Sequence, residues 1–310
     1  MTIFEDADAQ LLPGFRRQKI SVDGNELMAL IGGSGPPLLM LHGDPQTHLC
    51  WHLIAPRLTN RFTVVLTDIR GRGESHKPGV IDAANAYSKR EMAAEQVAAM
   101  RTLGYRKFAL VGHDRGARVA RRLALDHPDV VERLVVMDII PAKDFYENLD
   151  ARIAQDYFYF SFLTQDHPLP ERLIRGDAES FMRHILFGLS EQQVAYSPIA
   201  LGAYLAASTT AGAVTAMCEC FRAGYHIDWR HDEADRAAGN RIDCPTLVMW
   251  GEQGVVSRHF DVPAIWEPWC AAPSFAPMPS GHFIPEEAPD DSFAAIDRFL
   301  RPRTLGTHDE

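Results

Sequence analysis

Short apolar runs that alternate with helical stretches constrain the fold of this chain more than any other feature. The runs are rich in Leu and Val, and each ends near a turn that contains Gly or Pro. Four of them occupy residues 36–44, 62–73, 108–116 and 133–141. Apolar runs of this length are typical of strands buried on both faces of a parallel sheet. Residues 88–104 and 117–128 carry apolar side chains at helical spacing, so we expect a doubly wound, mostly parallel α/β sheet.

The rhythm of strands stops in the middle of the chain. Aromatic and helical phrases such as DYFYFSFL and SFMRHILFGL replace it, before strand-like runs return at 244–254 and 276–283 and a helix forms around DSFAAIDRFL. We therefore expect a core domain of residues 1–140 and 240–310 with an inserted helical cap of residues 141–239. The last residues, TLGTHDE, are expected to fray.

The composition excludes several classes of protein. The 310 residues are 46% hydrophobic and 23% charged, with a formal net charge of −10, which is ordinary for a globular protein and argues against a nucleic-acid surface. The five cysteines form no C-x-x-C pair, so neither a disulfide framework nor a zinc site is expected. No signal peptide and no membrane-spanning run are recognisable. We expect a cytoplasmic protein that needs no metal or nucleotide cofactor and binds a small molecule.

The segment ALVGHDRGAR contains a G-x-D-x-G pattern where a predicted strand meets a predicted helix. Gly112 and Gly116 flank Asp114, which occupies the place that Ser holds in the nucleophile elbow G-x-S-x-G. Glycine on both sides allows a sharp turn and close backbone packing, so that the central side chain stands at the carboxyl edge of the sheet. The alternative is a glycine-rich turn in which Asp114 only caps the helix.

Partners for an elbow are present in the right order along the chain. His42 and Gly43 follow a predicted strand and resemble an oxyanion-hole loop, in which the backbone N–H groups of Asp44 and Arg115 would converge on a developing negative charge. His282 lies after the last predicted strand, late in the chain, where this arrangement requires its base.

The acid that orients His282 has two candidate positions. After the penultimate strand, in VMWGEQGVV, the ionisable residue is Glu252. Asp138 lies instead at the carboxyl end of the strand before the cap, in VVMDIIP. We favour Asp138 and keep Glu252 as the second choice.

A carboxylate nucleophile determines which reactions are plausible. Asp114 is ionised at neutral pH and needs no base to activate it. Attack on an sp³ carbon that bears a halogen or an epoxide oxygen forms an alkyl ester, which water activated by His282 then hydrolyses while Asp138 holds the imidazole. Two-step hydrolysis through a covalent intermediate is the implied mechanism.

At these residues the chain resembles the haloacetate dehalogenases, including fluoroacetate dehalogenases, of the α/β-hydrolase fold. The resemblance extends over nearly the whole chain, through PPLLMLHGDPQTH, LTDIRGRGES, GHDRGAR, VMDIIP, SFLTQDHPLPE and SGHFIPEEAP. It implies Asp114 as nucleophile, His282 as base, Asp138 as acid, and Arg115 with Arg118 as the clamp for a substrate carboxylate. It also implies a homodimer.

The clamp has a physical reason of its own. Two guanidinium groups beside the nucleophile can bind a carboxylate and offset the repulsion between two anions. Arg115 and Arg118 are one helical turn apart and can face the same pocket. The alternative for Arg118 is a structural ion pair.

Two departures from the family's pattern concern the pocket. A His-Trp pair and a Tyr that cradle the halide in the family align with Tyr159, Phe160 and Phe221, so a single hydroxyl replaces three donors and cleavage of C–F bonds is disfavoured. Asp44 stands where the family commonly has an aromatic residue. Its carboxylate either approaches Asp114, raising a pKa and repelling an anionic substrate, or turns away and leaves its N–H in use. Further pocket candidates are Trp51, His52 and Tyr225.

Three hypotheses of function follow. The first is a hydrolytic dehalogenase of short 2-haloacids. The second is an epoxide hydrolase with the same Asp114 nucleophile, for which Tyr159 could protonate the opening oxygen. The third is a ligand-binding protein that keeps the fold without catalysis, since a fold alone does not establish an activity.

Overall fold

The strands of the computed structural model form one mixed sheet. The structure describes residues 1–79, 83–190 and 196–301. In this part of the chain the strands are β1 (Arg16–Val22), β2 (Asn25–Gly32), β3 (Pro37–Leu41), β4 (Thr63–Thr67), β5 (Phe108–His113), β6 (Val131–Met137), β7 (Thr246–Gly251) and β8 (Pro273–Met278). Their order across the sheet is β1-β2-β4-β3-β5-β6-β7-β8.

Helices precede, separate and follow these strands. Those before β6 are α1 (Ile3–Leu11), α2 (Ala55–Leu58), α3 (Ala83–Ala86), α4 (Lys89–Thr102) and α5 (Asp114–Asp126). Between β6 and β7 lie α6 (Ala142–Glu147), α7 (Ala151–Asp156), α8 (Phe158–Phe162), α9 (Leu169–Gly176), α10 (Ala178–Gly188), α11 (Pro198–Ser208), α12 (Ala211–Ala223) and α13 (Trp229–Ala238). After β7 come α14 (Val255–His259), α15 (Val262–Trp266), α16 (Ile284–Glu287) and α17 (Pro289–Leu300). Short 3₁₀ turns occupy His48–Trp51 and Glu267–Trp269, and a π-helix occupies Gly224–Asp228.

The predicted doubly wound sheet is confirmed. β3 pairs in parallel with β4 and β5, and β5, β6, β7 and β8 continue in parallel. Residues in the central strands such as Leu39, Leu110 and Val135 are fully buried, because helices cover both faces, and this explains why their sequence is apolar without alternation. The carboxyl ends of these strands therefore meet at one edge of the sheet.

The sequence analysis did not predict the antiparallel strands β1 and β2. They pair with each other, and β2 pairs with β4. The turn between them is Asp23-Gly24, and both residues have positive φ angles, 48° and 81°. Asp-Gly between two runs of strand formers is a strong hairpin pattern because such turns need positive φ at both central positions, so the sequence contained a usable indication.

The segment between β6 and β7 contains helices throughout its described residues, as the sequence suggested for residues 141–239. No individual helix in the described ranges is long and apolar enough to cross a membrane. The pair Pro198–Ser208 and Ala211–Ala238, which is bent by 80°, would be long and apolar enough by length and composition alone. The expected fraying of TLGTHDE concerns residues that lie outside the described part of the chain.

Candidate active site

Asp114 begins α5 at a strained turn directly after β5. Its φ angle is +46°, a conformation that costs a non-glycine residue about 1–3 kcal/mol and persists where the surroundings enforce it. A methyl group on Gly112 would lie 2.6 Å from Ala117 Cα, and one on Gly116 would lie 2.3 Å from the carbonyl oxygen of Leu41. Both positions therefore exclude a side chain, which accounts for the two glycines of the motif.

Asp114, His282 and Asp138 come together at the carboxyl edge of the sheet. His282 Nδ1 lies 2.6 Å from Asp138 Oδ2, within hydrogen-bond distance. On the other side of the ring, His282 Nε2 lies 3.7 Å from Asp114 Oδ2. Asp138 also accepts a hydrogen bond from the backbone N–H of Gly251 at 3.0 Å. Three residues far apart in the sequence thus form one linear array.

The charges of this array lower the pKa of Asp114 and raise the pKa of His282. Burial raises the pKa of Asp114, but Arg115, His282 and the backbone N–H of Asp44 outweigh it and hold that pKa well below its usual range. Burial lowers the pKa of His282, and its hydrogen bond to Asp138 together with the charges of Asp138 and Asp114 raises the pKa above its usual value. The carboxylate is therefore available as a nucleophile at neutral pH.

Of the two acids considered for His282, Asp138 makes the contact. It is 2% exposed and has a φ angle of +52° at the turn after β6, so the local backbone directs its side chain toward the imidazole. Glu252, at the end of β7, is exposed at the surface. The geometry agrees with the first choice of the sequence analysis.

The predicted oxyanion loop reaches Asp114 through its backbone. The N–H of Asp44 donates to Asp114 Oδ1 at 2.8 Å, whereas Asp114 Oδ2 accepts no hydrogen bond within the described residues. The two oxygens therefore differ, because a hydrogen bond fixes Oδ1, whereas the lone pairs of Oδ2 are available for attack. The N–H of Arg115, the second predicted donor, belongs to the first turn of α5, and its role stays a prediction.

The carboxylate of Asp44 forms an ion pair with Arg72. Arg72 Nε and Nη2 both donate to it, the latter at 2.5 Å, and the two side chains are 8% and 4% exposed. Asp44 thus lines the cavity beside Asp114, and the positive charge of Arg72 compensates its negative charge. Arg72 was not predicted as part of the site. It lies in the segment LTDIRGRG, and only folding brings this segment next to the loop that carries Asp44.

We expect Arg72→Ala to destabilise the protein by about 3–5 kcal/mol, because it leaves the Asp44 charge buried without a partner. The double variant Asp44→Leu with Arg72→Met should recover most of this loss, since it removes both charges at similar volume. Urea denaturation measures the free energy of unfolding of each. Equal stability of Arg72→Ala and the wild type would show that the pair is not buried as described.

Arg115, which is buried, and Arg118, which is half-buried, have no carboxylate partner in the described ranges. Along the same helix, Arg121 is paired with Asp232 at 2.6 Å and Arg122 with Asp126 at 2.6 Å. The guanidinium carbon of Arg115 instead lies 3.5 Å from the ring centre of Phe221. The structural ion pair considered for Arg118 is absent from the described residues, so this pair is free to receive an anion.

Two small cavities meet at Asp114 and His282, and Tyr159 borders both. The first contains Arg115 and Phe221, and the second contains Arg118 and Phe160. Each has a free volume of about 20 Å³. Lining residues that the sequence analysis did not single out are Phe145, Tyr157, Leu163, Phe181, Ile185, Leu189 and Met217. Their apolar character did not distinguish them from core residues.

The prediction that Trp51 lines the pocket is wrong. The 3₁₀ turn His48–Trp51 directs this side chain into the hydrophobic core, where it is fully buried, and it borders neither cavity at Asp114. His52 also borders neither, and Tyr225 is 46% exposed. An aromatic residue in a chain like this more often packs than binds.

No group of three or more His, Cys, Asp or Glu side chains within the described ranges is placed to hold a metal ion.

Comparison with known proteins identifies the family. A model of the α/β hydrolase fold matches residues 36–289. A fluoroacetate dehalogenase from Burkholderia sp is 40% identical over 300 residues, which cover 96% of this chain and 98% of that protein. The chain belongs to the haloacetate dehalogenase family of the α/β hydrolases. It is accordingly a hydrolase.

Two further proteins are similar to this member of the haloacetate dehalogenase family. A crystal structure of a Nostoc sp PCC 7120 protein assigned to the α/β hydrolases superposes with a TM-score of 0.90 at 42% identity, covering 96% of this chain and all of that one. A soluble epoxide hydrolase from Corynebacterium sp. (strain C12) is 29% identical over 91% of this chain and 96% of its own length. The choice between dehalogenation and epoxide hydrolysis therefore depends on the site.

Proposed function

We propose that this protein hydrolyses the carbon–halogen bond of short 2-haloacids through an ester on Asp114. The observation that supports it is an ionised carboxylate flanked by two guanidinium groups that have no carboxylate partner within the described residues. Such a pair suits a substrate that is itself a carboxylate and must approach another. The relative named fluoroacetate dehalogenase supports the same substrate class.

In the first step Asp114 Oδ2 attacks the carbon that bears the halogen. The new C–O bond forms as the C–X bond breaks, and the halide leaves with the bonding electrons. Arg115 and Arg118 hold the substrate carboxylate, which positions the carbon in front of the nucleophile and offsets the repulsion between the two anions. No proton moves in this step.

In the second step water attacks the ester carbonyl carbon of Asp114. Neutral His282 takes a proton from that water, and Asp138 stabilises the imidazolium that results. The backbone N–H of Asp44, already 2.8 Å from Oδ1, would stabilise the negative charge on that oxygen. Collapse breaks the bond between the ester carbonyl carbon and Oδ2, the imidazolium returns its proton to the departing alkoxide, and a 2-hydroxyacid leaves. Asp114 keeps one oxygen from water and loses the remaining proton to solvent.

The leaving-group side of the pocket favours the heavier halides. Tyr159 presents a hydroxyl at the cavity, while Phe160 and Phe221 offer rings without donors. Fluoride needs strong hydrogen bonds as it leaves, whereas bromide and chloride need less. We therefore propose bromo- and chloroacids as better substrates than fluoroacetate.

Removing the charge of Arg118 should affect charged substrates selectively. Arg118→Gln is expected to raise the KM for bromoacetate about tenfold to hundredfold, because a hydrogen bond to a charged group contributes about 1.5–3 kcal/mol. The KM for bromoacetamide, which has no carboxylate, should stay nearly constant. Bromide release measures both, with the exposed Arg106→Gln as control. Equal losses for both substrates would contradict the clamp.

Ester hydrolysis should depend on pH through His282. The base must be neutral, and the hydrogen bond to Asp138 and the charge of Asp138 raise its pKa, so the rate should increase as the pH rises through the pKa of His282 in the ester. Asp138→Asn removes the charge that raises this pKa and should shift the midpoint downward. Rapid-quench measurement of ester breakdown from pH 5 to about 9 tests both. An unchanged midpoint in Asp138→Asn would contradict the assignment.

Epoxide hydrolysis is the second candidate. Tyr157 and Tyr159 both border the cavity at Asp114, and a phenol can protonate the oxygen of an opening epoxide. A neutral epoxide has no use for two guanidinium groups without carboxylate partners, which is why we place this reaction second. Turnover of styrene oxide without halide release from any haloacid would reverse the order.

The helical segment of residues 141–239 would act as a cap over this site. Tyr159, Met217 and Phe221 come from it and form the wall opposite Asp114. We also propose a homodimer, as the family resemblance implies, and a cytoplasmic location, because the five cysteines are free.

A further inference from the structure

We propose that a third cavity, next to the arginine pair, is a binding site for one small monovalent anion of the halide class. Arg115, Arg118, Tyr146 and Gly224 line this cavity, whereas Asp114 and His282 do not. It thus shares the two guanidinium groups with the catalytic cavities but not the reacting groups. We call it the rear cavity.

The rear cavity has an excess of positive charge. Three further cations border it, and each has a carboxylate partner. The pairs are Lys89 with Asp228 at 3.1 Å, Arg121 with Asp232 at 2.6 Å, and Arg122 with Asp126 at 2.6 Å. Arg115 and Arg118 have no such partner in the described part of the chain, and Asp114 offsets only one of their charges. An anion in the cavity would meet uncompensated charge in a desolvated site, where attraction is strong.

Hydrogen-bond donors without partners converge on the same space. A methyl group on Gly224 would lie 3.8 Å from Tyr146 Oη and 4.0 Å from Arg115 Nη1, so both atoms border the space next to this glycine. Neither atom has a hydrogen-bond partner among the described residues. The Nε atoms of Arg115 and Arg118 are buried and have none either, and because buried donors are normally satisfied, this supports a ligand beside the arginine pair.

The volume and the walls of the cavity suit a small ion. Its free volume is about 20 Å³, which is room for a monatomic ion or a water molecule. Part of its wall is apolar and consists of Phe160, Ile139 and Pro141. Such a wall favours weakly hydrated anions. Bromide and chloride combine single charge, small size and weak hydration.

Gly224 offers a variant that fills the cavity without disturbing the fold. Its φ and ψ angles of −56° and −46° are helical, so alanine is compatible with the backbone and intrinsically more favourable in a helix. The methyl group would make ordinary contacts at 3.8–4.0 Å while occupying the space of the ion. The matched control is Gly202→Ala in α11, where a methyl group would meet only Ile3 Cδ1, at 4.0 Å.

Bromide is the probe, because its anomalous scattering locates it directly. Crystals soaked in sodium bromide should show an anomalous peak between Arg115, Arg118 and Tyr146 in the wild type and in Gly202→Ala, and none there in Gly224→Ala. In solution, replacing sodium sulfate by sodium bromide at constant ionic strength should raise the Tm of the first two proteins and not of the third. Neither readout requires turnover, so failure of the proposed reaction would leave this test intact.

Enzyme kinetics provide a second test of the anion site in the rear cavity. Bromide in the rear cavity would weaken the attraction of the arginine pair for a substrate carboxylate without excluding it, so the KM for chloroacetate should rise to a plateau. In Gly224→Ala the bromide effect should fall at least about tenfold, with kcat/KM in the absence of bromide within about twofold of the wild type. A bromide peak confined to the space beside Asp114, or strictly competitive inhibition that Gly224→Ala leaves unchanged, would overturn the proposal.

Discussion

Replacing Asp114 with Asn is expected to lower halide release from bromoacetate by about four orders of magnitude or more, since loss of the attacking group removes the whole covalent pathway. The amide has nearly the same shape, and its oxygen can still accept the Asp44 N–H. It is neutral, however, and a far weaker nucleophile. Bromide release under single-turnover conditions measures the effect without interference from product release.

The matched control is Asp129→Asn, which makes the same chemical change at an exposed position of the core domain. It should retain wild-type activity, and both variants should unfold at nearly the wild-type temperature. Residual activity of Asp114→Asn within about a hundredfold of the wild type would mean that water attacks the substrate directly, and the ester mechanism would then be wrong.

Replacing His282 with Asn should separate the two steps of the reaction. The first step needs no base, so about one equivalent of bromide should be released rapidly, after which turnover stops because no group activates water. The protein should then carry a carboxymethyl ester, visible as an increase in intact mass and located on Asp114 by peptide mapping. We expect ester hydrolysis to slow by about 10²–10⁴-fold.

This experiment also distinguishes the three functional hypotheses. His184→Asn, at an exposed position of α10, is the control and should turn over normally without an adduct. An epoxide hydrolase would instead form a hydroxyalkyl ester from styrene oxide. A ligand-binding protein would show no adduct with either compound, and that result would refute both enzymatic proposals.

Local sequence patterns predicted the parallel part of the fold because its causes are local. A strand such as β5 is apolar throughout since both faces are covered, and α5 follows it at helical spacing. The hairpin of β1 and β2 escaped prediction, although Asp23-Gly24 marked its turn. The last strand begins at Pro273 rather than at residue 276, because an edge strand with mixed burial has no uniform apolar run.

The sequence alone located the proposed nucleophile, because the G-x-D-x-G pattern around Asp114 stands where a strand meets a helix. Only the tertiary structure decided the rest of the site. His282 and Asp138 are 144 residues apart, and no local pattern specifies which acid a distant histidine will contact. The same limit applies to Asp44, whose charge is matched by Arg72 from another loop. It applies to the arginines of α5 as well, since spacing does not say which guanidinium groups will meet carboxylates and which will be left for an anion.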